Sequence, residues 1–255
     1  MQNILITGAT SGIGEALAAN YIANGHRVFG CGRNEEKLNA LALEHAQNGS
    51  SNFIPLAFDA TDLSACHQAA ESVMQSLGGS SNNDAKLDKV ILNAGGCEYI
   101  EPLQFKSAPF EKMMTTNVLT MTNCIEAFAT FLSAGSQLAI MGSSVTLLPI
   151  AKAEAYGASK AALSYLANTL RLSWEEKNIA VSLIEPGFVK TPLTDNNNFD
   201  MPFCISAEEA AERIAKGLAE RQSTIRFPKR LIASLKILSW LPGSISHKLL
   251  NRNNE

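Results

Sequence analysis

The sequence predicts an α/β protein in three layers, a parallel sheet with helices on both faces. Three observations carry that prediction. Short β-rich runs alternate with longer helical stretches, an order that needs crossover connections and hence parallel strands. The runs are mostly apolar throughout, as strands covered on both faces must be. The chain has 255 residues, 46% hydrophobic and 18% charged, enough to bury the core of one domain spanning residues 1–255.

The strands expected in order are ILIT (4–7), VFGCG (28–32), FIPLAF (53–58), KVILN (89–93), LAIMG (138–142), VSLIE (181–185) and TIRF (224–227). Helical stretches fall between most of them, at 14–24, 35–47 and 61–77 among others. GGSSNNDA (78–85) reads as a long flexible loop, but the strand rhythm resumes after it, so no domain boundary is placed there.

Charge and cysteine usage exclude several classes. With 21 basic against 24 acidic side chains and no basic stripe, nucleic acid is not an expected partner. Cys31, Cys66, Cys97, Cys124 and Cys204 are odd in number and form no C-x-x-C pair, which suits free thiols in a reducing compartment and implies no structural zinc. Met1-Gln2-Asn3 leads directly into ILITGATSGIG without a basic-then-apolar leader, so a cytoplasmic location is expected.

TGATSGIG (7–14) closes the first strand and opens the first helix. Gly8, Gly12 and Gly14 omit side chains where the backbone turns sharply and where a pyrophosphate would approach amides at a helix N-terminus. Thr10, Ser11 and Ile13 share the loop and join the candidate cofactor contacts. The spacing is G-x-x-x-G-x-G and not G-x-G-x-x-G, so a plain tight turn is the alternative. After the second strand, Gly32 and Arg33 stand where a carboxylate would select the ribose 2′-hydroxyl of NAD. A guanidinium fork suits a 2′-phosphate, which favours NADP; alternatively Arg33 is a solvated residue ahead of a helix opened by Glu35 and Glu36. In FDATD (58–62), Asp59, beside Ala60, is placed to accept from an adenine amino group, and Asp62 to cap the next helix. Asn93, Ala94 and Gly95 of NAGG (93–96) let the ribose and nicotinamide pass close to the backbone, or form a simple turn.

AEAYGASKAAL (153–163) carries Tyr156 and Lys160 four residues apart, hence on one helical face. An ammonium near a phenol lowers the phenol's pKa from about 10 and suits it to exchange protons. Ser143 lies 13 residues earlier at a strand end, placed to donate to a carbonyl oxygen, with Ser144 as the competing choice. Asn117 interrupts an otherwise helical segment, where its side chain is prone to bond the backbone and perturb the helix.

Together these features resemble the short-chain dehydrogenase/reductase family in its one-domain form. The resemblance runs from Ile4 to about Thr194 in the family's order: TGATSGIG, DATD, NAGG, the Asn117 segment, the Ser143 loop, YGASK, then PGFVKT (186–191). It implies a Rossmann-type, doubly wound sheet of seven strands and hydride transfer between the nicotinamide of NADP(H) and a carbonyl carbon. By the same resemblance Tyr156 is the acid/base, Lys160 holds the nicotinamide ribose and lowers the tyrosine pKa, Ser143 polarises the carbonyl and Asn117 supports a proton relay. Pro186, Val189 and Thr191 would border the carboxamide and phosphates, with Ser11 assisting Arg33 at the 2′-phosphate. Two departures stand out: LNAG, with Leu92, replaces the usual NNAG, and the serine loop lacks the glycine commonly found a few residues after the serine. Neither removes a reacting group. The rivals are a nonenzymatic NADP-binding regulator, which has no need of this reacting set, and a sugar-nucleotide epimerase or dehydratase, which generally needs a larger C-terminal domain.

Substrate selection is expected in LTDNNNFDMPFCIS (193–206), where Phe199, Met201 and Phe203 either line a pocket for a small, fairly apolar carbonyl or alcohol or merely anchor the loop. PKRLIASLKILSWLPGSISHKLL (228–250) is apolar and basic, and its apolar part is too short to span a bilayer. A helix completing the pocket or a subunit interface is favoured over a membrane-surface helix or a structural tail. Helices around 110–132 and 156–174 are expected to pair across a twofold, as in the family, giving a homodimer or homotetramer.

Overall fold

The computed structural model describes residues 1–78, 86–101, 103, 105–195 and 200–242. Its strands are β1 (Asn3–Thr7), β2 (Arg27–Gly32), β3 (Phe53–Ala57), β4 (Lys89–Leu92), β5 (Gln137–Met141), β6 (Ala180–Pro186) and β7 (Thr224–Phe227), each within a residue of the run that the sequence marks. They form one sheet of order β3-β2-β1-β4-β5-β6-β7 with every neighbouring pair parallel. The chain winds outward from β1 to β3, returns to β4 beside β1, and winds the other way to β7. At that reversal the carboxyl ends of β1 and β4 open a crevice, the place where such sheets bind ligands. The central strands are buried on both faces: Ile4, Leu5, Ile6, Ile91, Leu92 and Ile140 have no exposed surface, which is why their sequences read as continuous apolar runs.

The helices are α1 (Gly12–Ala23), α2 (Glu35–Gln47), α3 (Leu63–Ser76), α4 (Ser107–Met113), α5 (Thr120–Phe128), α6 (Glu154–Trp174), α7 (Ala207–Ala219) and α8 (Lys229–Ser239). α1 packs on α7, and α3 on α5. Helix starts follow side-chain caps. α3 begins two residues later than its helical composition suggests because Asp62 Oδ1 accepts from the Ser64 and Ala65 amides (2.8 and 3.4 Å). α2 begins where expected, with Asn34 accepting from the Lys37 amide. Between α4 and α5 the helix widens into a π-helical turn, Met114–Leu119, which contains Asn117. The loop expected at 78–85 lies, from residue 79 on, outside the described residues, as do Phe199 and residues 243–255. No helix among the described residues is long and apolar enough to cross a membrane.

Candidate active site

At the crevice, the glycine loop is shaped by what it leaves out. Gly8 and Gly12 adopt φ +68° and +55°, a left-handed backbone that side chains resist. A Cβ on Gly14 would meet the Gly8 carbonyl oxygen at 2.1 Å, and one on Gly12 would meet the Thr191 side chain at 2.9 Å. α1 therefore starts hard against β1, with its first amides and Ser11, whose side chain makes no cap hydrogen bond, facing the crevice. β4 is fastened to β1 at the same end. Thr7 Oγ1 accepts from the Asn93 and Ala94 amides (3.0 Å each), and Asn93 Nδ2 donates to the Thr7 carbonyl at 3.1 Å. Asn93 is thus a tie between strands as well as a lining residue, and Leu92, the family departure, points into the core without exposed surface.

From this cradle a cleft runs past Gly95, Gly96 and Met141 to Ser143, Tyr156 and Lys160, with Pro186, Val189, Thr191, Leu193 and Thr194 opposite. Tyr156 and Lys160 lie on one face of α6, the ammonium 5.8 Å from the ring centroid. Lys160 is almost fully buried, and its Nζ donates to the Met141 carbonyl at 2.9 Å, fixing α6 to the end of β5. Burial lowers its pKa to about 8. The Ser143 hydroxyl stands near enough to the Tyr156 phenol to pull its pKa down, and Ser143 Oγ accepts from the Val145 amide at 3.2 Å. Ser144 does not line the cleft. Asn117, fully buried, accepts from the Gly96 amide (2.7 Å) and donates to the Gly96 carbonyl (3.0 Å) and to Ser159 Oγ (2.9 Å). The π-helical turn brings it there, within reach of the wall that Gly95 shares with Lys160.

The electrostatics differ from the sequence expectation in one respect. Burial pushes Tyr156 up to about 12, outweighing the Ser143 hydrogen bond that pulls it down, and the Cys97 thiol adds a smaller upward push. The Lys160 proton donor is turned to a carbonyl and does not offset this.

Not every candidate meets in the cleft. Thr10 packs over Gly32 at the end of β2. Arg33 lies on an exposed surface with Asn34, Glu35 and Glu36, near enough to Asp59 for its charge to help lower that carboxyl. Asp59 Oδ1 accepts from the Thr61 amide and hydroxyl (2.9 Å each), and the Ala60 carbonyl accepts from Asn123. These four residues flank the carboxyl ends of β2 and β3, one strand away from the cleft. Phe203 is 46% exposed and, like Met201, is not among the cleft's lining residues.

A family model described as short chain dehydrogenase matches residues 2–202. The chain belongs to the short-chain dehydrogenase family. An oxidoreductase of uncharacterised activity from Myxococcus xanthus is 31% identical over 249 residues, covering 96% of this chain and 94% of the relative. Among solved structures, a short chain dehydrogenase/reductase from Burkholderia phymatum in complex with NAD superposes with TM-score 0.79 at 20% identity, covering 92% of each chain. A short chain dehydrogenase from Burkholderia cenocepacia in complex with NADP gives 0.76 at 23%, covering 88% of this chain and 94% of its own. The fold is that of the short-chain dehydrogenases, and the glycine cradle, where a Cβ on either Gly12 or Gly14 would collide with protein, fits a nicotinamide dinucleotide laid along the backbone.

Several lining residues of this short-chain dehydrogenase escape a reading by motif. Met141 and Gly142 belong to a run read only as strand, and Gly142 admits the close approach of Leu183 Cδ1 and Ile184 O (3.0 and 3.1 Å to its would-be Cβ). Leu193 and Thr194, by contrast, open the segment 193–206 in which substrate selection is expected, and both line the cleft. Outside the lining, Cys97 and Tyr99 lie close enough to Tyr156 to influence its charge and carry no periodic or spacing signal at all.

Proposed function

We propose that this short-chain dehydrogenase uses NADP(H) to interconvert a neutral, fairly apolar carbonyl compound and its alcohol, with Tyr156 moving the proton. The observation that carries the reading is the convergence of Tyr156, Ser143 and Lys160 at the end of the glycine-lined cleft. A bound nicotinamide would supply the hydride. Tyr156, held near 12, keeps its proton at neutral pH and is set to deliver it to a carbonyl oxygen as charge develops there. Ser143 accepts from Val145, so its own proton is left to donate toward that oxygen. Lys160 lines the cleft beside Gly95, where it would hold the ribose of the dinucleotide, and Asn117 fixes the Gly96 turn behind it. Lys160 is the sole charged side chain lining the described cleft, and its ammonium is already turned to Met141, which favours neutral substrates.

NADP over NAD is supported by Arg33 at the end of β2 with Gly32, not a carboxylate, before it. A homodimer or homotetramer is supported by exposed Leu119 on the π-turn and Tyr165 and Leu172 on α6, the last two seven residues apart on one helical face. α8 inserts Leu231 against Gly187 of the cleft, which supports a pocket-completing role for its buried face.

The test is Tyr156→Phe, assayed with NADPH and a panel of ketones and aldehydes. Turnover should fall by roughly 10² to 10⁴ while NADPH binding is kept. Unchanged turnover would reject the acid/base assignment.

A further inference from the structure

Glu185 is a carboxylate with 2% of its surface exposed, at the end of β6 directly beneath the serine loop. A charge this deep is retained only when its oxygens are satisfied. Arg226, its register partner on β7, donates Nε to Oε2 at 2.5 Å. The other oxygen, Oε1, accepts from Thr146 Oγ1 at 3.0 Å. That hydroxyl also faces the Ser143 carbonyl at 2.9 Å, so one proton is shared between the buried carboxylate and the backbone of Ser143. Gly142 ties the same strand end: its amide donates to the Ile184 carbonyl at 2.7 Å. Thr146 stands in the stretch where the family's glycine is missing.

We propose that Thr146 is a positioning residue for the proton-transfer site, tethered by the Glu185–Arg226 ion pair so that Ser143 is held against Tyr156. The inference rests on the reductase reading above. Arg226 neutralises and orients Glu185, Glu185 orients the Thr146 hydroxyl, and Thr146 fixes the turn Ser144–Leu147 and thereby the Ser143 hydroxyl at its head. The ion pair thus joins the sheet edge at β7 to the reacting phenol through three side chains.

The test compares wild type, Thr146→Val, which keeps the shape and removes the hydroxyl, and Thr146→Ser, which restores it. With NADPH and the carbonyl panel, Thr146→Val should lower kcat roughly tenfold with the NADPH dissociation constant unchanged, and Thr146→Ser should recover it. In the alcohol-oxidising direction the rising limb of the kcat–pH profile should move to higher pH in Thr146→Val, because the Ser143 hydrogen bond that favours the ionised phenol is weakened. A loss of stability alone would not move that limb. Crystal structures of wild type and Thr146→Val should show Ser143 Oγ withdrawn from Tyr156 in the variant. A variant that keeps kcat, the limb and the Ser143–Tyr156 contact overturns the proposal. If wild type turns over no carbonyl at all, the reductase reading fails, and the crystallographic comparison decides the positioning role by itself: withdrawn supports it, unmoved overturns it.

Discussion

The two ends of the cleft are built on opposite principles. At the glycine end the walls are main chain: α1 abuts the Gly8 carbonyl, and Thr7 and Asn93 lock β1 to β4, with contacts at van der Waals limits or hydrogen-bond distance. At the far end the walls are side chains with slack. Leu193, on that wall, is 48% exposed. Backbone walls recognise what every dinucleotide shares, a pyrophosphate and two riboses, and tolerate no added atom. Side-chain walls recognise what differs among substrates and can change one residue at a time.

The largest expected effect lies at the tight end. Gly14→Ala puts a methyl group 2.1 Å from the Gly8 carbonyl and 2.6 Å from Asn93 Nδ2, so α1 must retreat from the β1–β4 tie. NADPH affinity should fall at least 100-fold and stability by about 3 kcal/mol, as overpacking of a rigid site costs. Titration of NADPH fluorescence and urea unfolding measure the two. An alanine variant with native affinity would show that the cradle has the same slack as the substrate end.

Lys160 sits where the ends meet, and its burial is a stability cost. Folded, it titrates near 8, below the unfolded value of about 10.4, so the folded chain binds fewer protons across that window and stability from this group rises with pH between those values. Tyr156 acts oppositely: its raised pKa stabilises the fold below about pH 10, and that contribution is lost as pH climbs toward 12. Lys160→Met should therefore be inactive yet more stable than wild type at pH 7 by about 2 kcal/mol, with the gap closing by pH 10. Unfolding curves at the two pH values check the sign.

Next in size is Arg33→Glu. A carboxylate at the end of β2 repels a 2′-phosphate and accepts from a 2′-hydroxyl, so the ratio of kcat/KM for NADPH over NADH should drop roughly 10- to 100-fold. An unchanged ratio would leave Arg33 as a solvated neighbour of Glu35 and Glu36.

What was legible in the sequence follows the same division. Glycine spacing reports backbone shape, so the seven strands, the cradle and the Tyr156–Lys160 face could all be read from residue types at fixed intervals. Asn117 was legible as a helix perturbation because a buried amide inside a helical run has to bond something. The phenol's raised pKa was not, since a motif shows that Lys160 is near but not that its proton is given to Met141. Nor was the Glu185–Thr146 tie. It joins residues 39 apart in the chain across two strand ends, and nothing in either segment's pattern points to the other.

The smallest effect tests the loose end directly, with Leu193 and Phe203 exchanged one at a time for alanine. Leu193 lines the cleft but is half exposed, so its replacement removes about half of a full side-chain burial, on the order of 1 kcal/mol. KM for an apolar ketone should rise about fivefold, with kcat and NADPH affinity unchanged, because the contact is made equally in the ground and transition states. Phe203 is not among the lining residues, and Phe203→Ala should leave KM within about twofold of wild type. If Phe203→Ala instead raises KM more than Leu193→Ala, the loop folds over the substrate during turnover, and the far end of the cleft is shaped by closure and not by the wall seen here.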